Sequence, residues 1–180
     1  MPTYYPYLIS SLPMLNFNAR PPFAIERFLG MCKDLIPDND LEIVDLCFKA
    51  SLLEEQVKQQ TLKQWIEFET GLRNELVKIR ASRKKIDPQI YLRKDGYGDA
   101  SIYHIAMNSH RILSLIESEK FLDLARWQKL DELLCGHYFD LDALIAYALK
   151  LQILWRWETI NRADKQKALE EVLENEYADK

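Results

Sequence analysis

The sequence predicts an all-α protein, an antiparallel multi-helix bundle with two long central helices. Apolar residues recur at steps of three and four along most of the 180 residues. Valine and threonine are scarce, and no stretch sustains the period-two alternation of a strand; Ile90 to Leu92 is the one strand candidate. Connections between the periodic segments are short, which favours antiparallel neighbours. A composition 48% hydrophobic and 29% charged can build a sizeable core, so residues 1–180 are read as a single α-helical domain.

Each element follows from its own residues. Residues 1–22 form an N-terminal docking segment, in which Tyr4, Tyr5, Tyr7, Leu8, Ile9 and Leu12 are expected to pack on the core. The stretch lacks a basic start and a cleavage site, and no run is long and apolar enough to span a bilayer, so a cytosolic protein is expected. From Phe23 to about Ile36 one helical face is apolar, and Pro37 stops it. Asp38, Asn39 and Asp40 offer caps for a second helix carrying Leu41, Val44, Asp45 and Phe48. Thr61 can cap a long helix to about Lys85, with Leu62, Trp65, Phe68, Leu72, Leu76 and Ile79 in one stripe. Residues 86–99, with Gly96 and Gly98, read as the main loop.

Asp99 or Ser101 starts the next helix, with Ile102, Ile105, Ala106, Ile112, Leu113 and Ile116 facing inward. Phe121, Leu124, Trp127, Leu130 and Leu134 mark another, which Gly136 ends. Asp140 caps a second long helix to about Asn161, and a separate charged helix covers roughly Asp164 to Tyr177. From Leu141 to Trp157 the second long helix is apolar almost all round, the mark of a central helix surrounded by others.

Several chemistries are disfavoured at this level. A net charge of −4 argues against a general nucleic-acid binder, and five scattered glycines cannot assemble a phosphate cradle. His104 and His110 are six apart, on different helix faces, and His137 with Asp140 reads as helix capping, so no metal site is expected. Cys32 and Cys47 lie at core-facing positions, and Cys135 beside His137 lacks the spatial arrangement catalysis needs. No catalytic residue and no cofactor is expected. The acidic Glu170, Glu171, Glu174 and Glu176 read as a solvated face.

The most suggestive charge feature is basic: Lys78, Arg80, Arg83, Lys84, Lys85, then Arg93 and Lys94. Lysine and arginine in a last turn suit the negative end of the helix dipole, which accounts for part of it. Arg80, Arg83, Lys84 and Lys85 are the residues expected to dock a partner. Phosphate binding, with Tyr91 and Tyr97 stacking on bases, is the rival use of residues 78–94.

Three segments carry a resemblance: Tyr4-Tyr5-Pro6-Tyr7-Leu8-Ile9-Ser10-Ser11-Leu12-Pro13, Leu72 to Ala81, and Ala146 to Trp157. Together they resemble a family of uncharacterised bacterial proteins encoded among the subunits of V-type rotary ATPases. The helical patterns are also similar to the long helices of the d-type rotor-docking subunit of V/A-type ATPases. The resemblance implies a cytosolic, non-catalytic component or assembly partner of an ion-translocating ATPase, touching its stalk or its membrane ring. It carries over no catalytic residue. A free-standing enzyme or nucleic-acid module on an α bundle is the alternative.

Charges on the two long helices imply a structural contact. At 100° per residue Glu69 falls within the Leu62, Trp65, Leu72, Leu76 stripe, where an unpaired carboxylate is costly. Lys150 lies among apolar neighbours, away from the polar strip of Asp142, Gln152, Arg156 and Thr159. A Glu69–Lys150 ion pair satisfies both, with Arg156 as the alternative cation. Its rivals are a Lys150 that snorkels to the surface, or a break at Gly71 that turns Glu69 outward.

Overall fold

The computed structural model describes residues 4–49, 58–93 and 99–178, with the side chains of the last helix described as far as residue 163. Seven α-helices and one 3₁₀ helix are found among the described residues, with no strand and one isolated bridge between Tyr4 and Asp140. The short helix α1, Pro6–Ser11, has proline in its first turn and ends ahead of Pro13. Next come α2, Ile25–Lys33, and α3, Asp38–Leu46. Phe28 and Cys32, four apart on α2, are buried together, as one face of an amphipathic helix requires. Asp38 and Asp40 lie within the first turn of α3 instead of capping it, where their charge suits the dipole. Asp40 also accepts a hydrogen bond from the Tyr5 hydroxyl, so this turn helps seat the N-terminal segment.

The first long helix, α4, spans Gln60–Lys84. Gln59, not Thr61, caps it: the Gln59 Oε1 accepts from the Leu62 amide at 2.6 Å. Gly71 is buried inside an unbroken helix, so no break turns Glu69 outward. Lys85 ends the helix in the left-handed region, with φ 56°. Pro88–Tyr91 then forms the 3₁₀ helix, so the strand candidate at Ile90 to Leu92 is not a strand. Proline fixes φ at the start of this turn, and the Asp87 carboxylate accepts from the Gln89 amide, which together favour a tight helical turn over extension. Part of the expected main loop is therefore helical, and residues 94–98 lie outside the described residues.

Helix α5, Ala100–Arg111, is capped by Asp99, and α6, Leu115–Leu133, by Ser114. The expected inner face of α5 runs too far. Leu113 and Ile116 are exposed because the chain turns at Ile112 to Ser114 and starts a new helix. The last helix, α7, is continuous over Leu141–Ala178, 38 residues, where the sequence suggested two helices. No glycine or proline follows Gly136, so nothing interrupts the backbone ladder.

One apolar cluster draws on all seven helices. Leu144, Ile145, Ala146, Ala148, Leu149, Leu151 and Leu154 are buried around nearly the full circumference of α7, which makes it the central helix. The stripe of α4 contributes Leu62, Trp65, Phe68 and Leu72. From the N-terminal segment Tyr5 and Leu8 reach the core, whereas Tyr4 and Tyr7 stay exposed. Helix α1, which carries Tyr7 and Leu8, is too short to bury more than one face. Tyr147 stacks on Phe23 and Phe28 of the α2 region and donates its hydroxyl to the Pro13 carbonyl at 3.0 Å. No described helix is long and apolar enough to cross a membrane.

Two glycines give opposite expectations. Gly136 has φ +89° with open space around it, so Gly136→Ala meets only backbone strain and should destabilise by about 1–2 kcal/mol. Gly30 is a helical, exposed position with equal room, so Gly30→Ala should stabilise by roughly 0.5–1 kcal/mol. Urea midpoints of the two variants on opposite sides of the parent check both.

Candidate functional site

The densest charge constellation joins three helices. Asp123 of α6 is fully buried on the same face as Trp127 and Leu130. Its Oδ1 accepts from Arg126 Nη1 at 2.8 Å and from Arg156 Nη1 at 2.9 Å. Its Oδ2 accepts from Arg156 Nη1 and from Trp157 Nε1, both at 2.9 Å. Arg126 Nε reaches back to Glu69 of α4 at 2.7 Å, and Arg156 Nη2 reaches forward to Glu119 at 2.7 Å. Burial would lower the affinity of Arg126 for its proton, but the Glu69 and Asp123 carboxylates more than offset that, so it holds its charge more tightly than usual. The network walls a cleft of about 450 Å³, with Lys49 and Arg93 also in its lining.

The expected Glu69–Lys150 contact is therefore corrected. Glu69 pairs with Arg126, and Lys150 places its Nζ 2.5 Å from Asp131 Oδ1 and 5.2 Å from the centre of the Trp127 ring. Both partners belong to α6, which supplies the carboxylates and the guanidinium that the helical wheels of α4 and α7 were missing. Lys150 stays buried instead of reaching the surface, and its ammonium meets a carboxylate that is 56% exposed. Arg156 reaches Glu69 only through Asp123 and Arg126. The pairs 131/150 and 123/156 also establish that α6 and α7 run in opposite directions.

A second constellation sits where the long helices begin. Asp142 Oδ1 accepts from Gln59 Nε2 at 2.5 Å and from the Thr61 hydroxyl, tying the start of α7 to the start of α4. Asp140 Oδ1 accepts from the Ala143 amide at 3.1 Å, and its Oδ2 lies 2.6 Å from His137 Nδ1. Asp140 is thus the cap its position suggested. The ligand atoms of His137, Asp140 and Asp142 all fall within 4.8 Å of one another, a grouping that helix spacing did not disclose because His137 precedes the helix. Each carboxylate already has protein donors, so the arrangement is accounted for as an interlock of two helix starts. The hydrogen bond to Asp140, helped by the Asp140 and Asp142 charges against a small burial effect, raises the His137 pKa.

The basic run is divided by the fold. Lys78 pairs with Glu75 at 2.6 Å, and Arg93 lines the charged cleft. Arg80 and Lys84 line a groove at the end of α4, together with Arg73, which the run of basic residues does not include although it lies seven residues before Arg80 on the same face. Arg83 and Lys85 are exposed but lie outside that lining. Lys94 and Tyr97 lie outside the described residues. Cys32 and Cys47 are buried, and burial pushes both thiols up to about 12, which makes them poor nucleophiles, whereas Cys135 is exposed.

Fold and charge pattern define a helical protein whose buried ionisable groups hold helices together. Over residues 104–176 the chain matches a family model described as "Protein of unknown function (DUF2764)". No curated protein and no solved structure matches it. The matched segment runs from the middle of α5 into α7 and carries Asp123, Arg126, Lys150 and Arg156, but not α4 or its groove.

Removing the buried Asp123 leaves a cavity and takes one carboxylate from Arg126 and Arg156 and the acceptor from the Trp157 indole, so Asp123→Ala should cost about 2–4 kcal/mol, whereas Glu69→Gln at a partly exposed position should cost less than about 1 kcal/mol. Chemical denaturation of both variants checks the ranking. For His137 the folded pKa lies above the unfolded value of about 6.5. Its contribution is fully present below that value and is lost as pH rises through the folded pKa. Melting curves across this range should show a step in the parent that His137→Gln flattens.

Proposed function

We propose that the protein is a non-catalytic structural component or assembly adaptor of a bacterial V-type rotary ATPase, similar to the d-type rotor-docking subunit and acting through helical protein-protein surfaces. The observation that carries this reading is where its three signature segments fall. Tyr4–Pro13 seats on α7 through the Tyr147–Pro13 hydrogen bond and on the turn before it through the Tyr5 amide bonded to the Phe139 carbonyl. Leu72–Ala81 lies wholly inside α4, and Ala146–Trp157 wholly inside α7. The resemblance therefore follows the structural spine, as a shared scaffold would.

The chemistry of the chain supports the same reading. The buried Asp123 and Lys150 each have an opposite charge in place, and the two buried thiols are held protonated. These groups hold the helices together and are not poised for turnover. The partners are then stalk or membrane-ring subunits of the ATPase, and the protein works at the cytoplasmic face without spanning the bilayer.

An affinity-tagged full-length chain purified from cells under conditions that keep the ATPase assembled tests the proposal. Peripheral ATPase subunits in fixed ratio to the tagged chain are the expected result. A chain that runs alone while the ATPase elutes intact elsewhere overturns it.

A further inference from the structure

The end of α4 and the turn that follows it build a groove with mixed chemistry. Arg73, Arg80 and Lys84 lie along one wall, and Ile86, Ile90 and Tyr91 along the other, around a volume of about 610 Å³. The three apolar side chains are 45%, 79% and 53% exposed, an unusual concentration over six residues. The second wall is not a loose flap. Lys85 turns the chain in the left-handed region, and the Asn74 side-chain amide clasps Arg93 from both sides, donating to its carbonyl and accepting from its amide, each at 3.0 Å. The apolar residues are thus held out beside the helix by two fixed anchors.

The cations of the groove lack carboxylate partners among the described residues, whereas Lys78, one turn away, is paired with Glu75. Asp87, the acid nearest Lys84 in sequence, accepts from the Gln89 amide, and Glu75, the acid nearest Arg73 and Arg80, pairs with Lys78. Helix-dipole compensation explains Lys84 in the last turn, but not Arg73, three turns earlier.

We infer that this groove docks an acidic polypeptide segment carrying apolar side chains, with carboxylates on the Arg73, Arg80, Lys84 wall and apolar residues on the Ile86, Ile90, Tyr91 wall. The inference deepens the adaptor reading and rests on it for the need of a protein partner. Charge complementarity selects an acidic partner, and the apolar wall selects polypeptide over nucleic acid. Two of the three apolar residues are isoleucines, which offer no stacking face, leaving Tyr91 as the single aromatic of that wall, and a net charge of −4 on the whole chain opposes a long polyanion.

The test uses the full-length protein and a fluorescent helical peptide of about 16 residues, long enough to hold some helix, with glutamates on one face and leucines on the other. One control peptide replaces leucine with serine, another replaces glutamate with lysine, and an oligouridine strand is the third probe. Arg73→Glu/Arg80→Glu/Lys84→Glu and Ile90→Ser/Tyr91→Ser alter the two walls separately, with Lys84→Gln and Ile90→Thr as milder substitutes should either fail to fold.

The acidic leucine peptide should bind about tenfold or more tighter than either control peptide, and each wall variant should weaken it by about tenfold or more. Equal binding of the serine control, unchanged binding in folded variants, or tighter oligouridine binding lost in the charge variant would each overturn the inference. Co-purification separates it from the adaptor reading. Groove variants that retain ATPase subunits as the parent does overturn the groove alone. A parent that binds the peptide through both walls but retains no part of the ATPase supports the groove and removes the adaptor reading.

Discussion

The buried carboxylate of Asp123 is the constraint on which the helix arrangement turns. A carboxylate without water must meet charge and hydrogen-bond donors from the protein itself, and here those donors come from two helices. Arg156 and Trp157, adjacent on α7, fix both the rotation and the height of that helix against α6. Arg126 bridges this carboxylate and that of Glu69, which extends the constraint to α4. Apolar packing alone tolerates a slide or a small rotation. A carboxylate with four geometric demands does not.

The second interlock acts at a different level. Gln59, Thr61 and Asp142 place the first turns of α4 and α7 side by side, so the two long helices start from a common end. With α6 running back along α7 and bonded to α4, the two long helices are fixed at their starts and all three are fixed again partway along. The far end of α4 is outside both constraints, and there the polar contacts change character. The Asn74–Arg93 clasp holds a connecting segment in place of a third helix, leaving cationic and apolar side chains facing solvent.

Much of this architecture was legible in residue spacing, and the failures have specific causes. Helix class, the stripe of α4 and the all-round burial of α7 follow from period alone, because each depends on one helix at a time. The partner of Glu69 did not follow, since it comes from a helix distant in sequence whose own wheel placed Leu124, not Asp123, on the inner face. Leu124 is 37% exposed and Asp123 fully buried, so hydrophobicity misdirects where a desolvated ion pair occupies the core. A visible signal existed: Asp123 lies four and seven residues before Trp127 and Leu130, in register with the buried face. The merger of the last two expected helices has a simpler origin. A change from apolar to charged residues marks where a helix leaves the core, not where its backbone ends.

The three thiols differ in a way that makes the native chain convenient for site-specific chemistry. Cys32 and Cys47 are shielded by packing and disinclined to ionise, while Cys135 stands exposed at the corner between α6 and α7. A maleimide dye or spin label added near neutral pH will therefore collect at one place without any cysteine being engineered in or out. That place is one residue before the left-handed Gly136 and two before His137. A single reporter there watches the turn between the two antiparallel helices that the Asp123 carboxylate binds together.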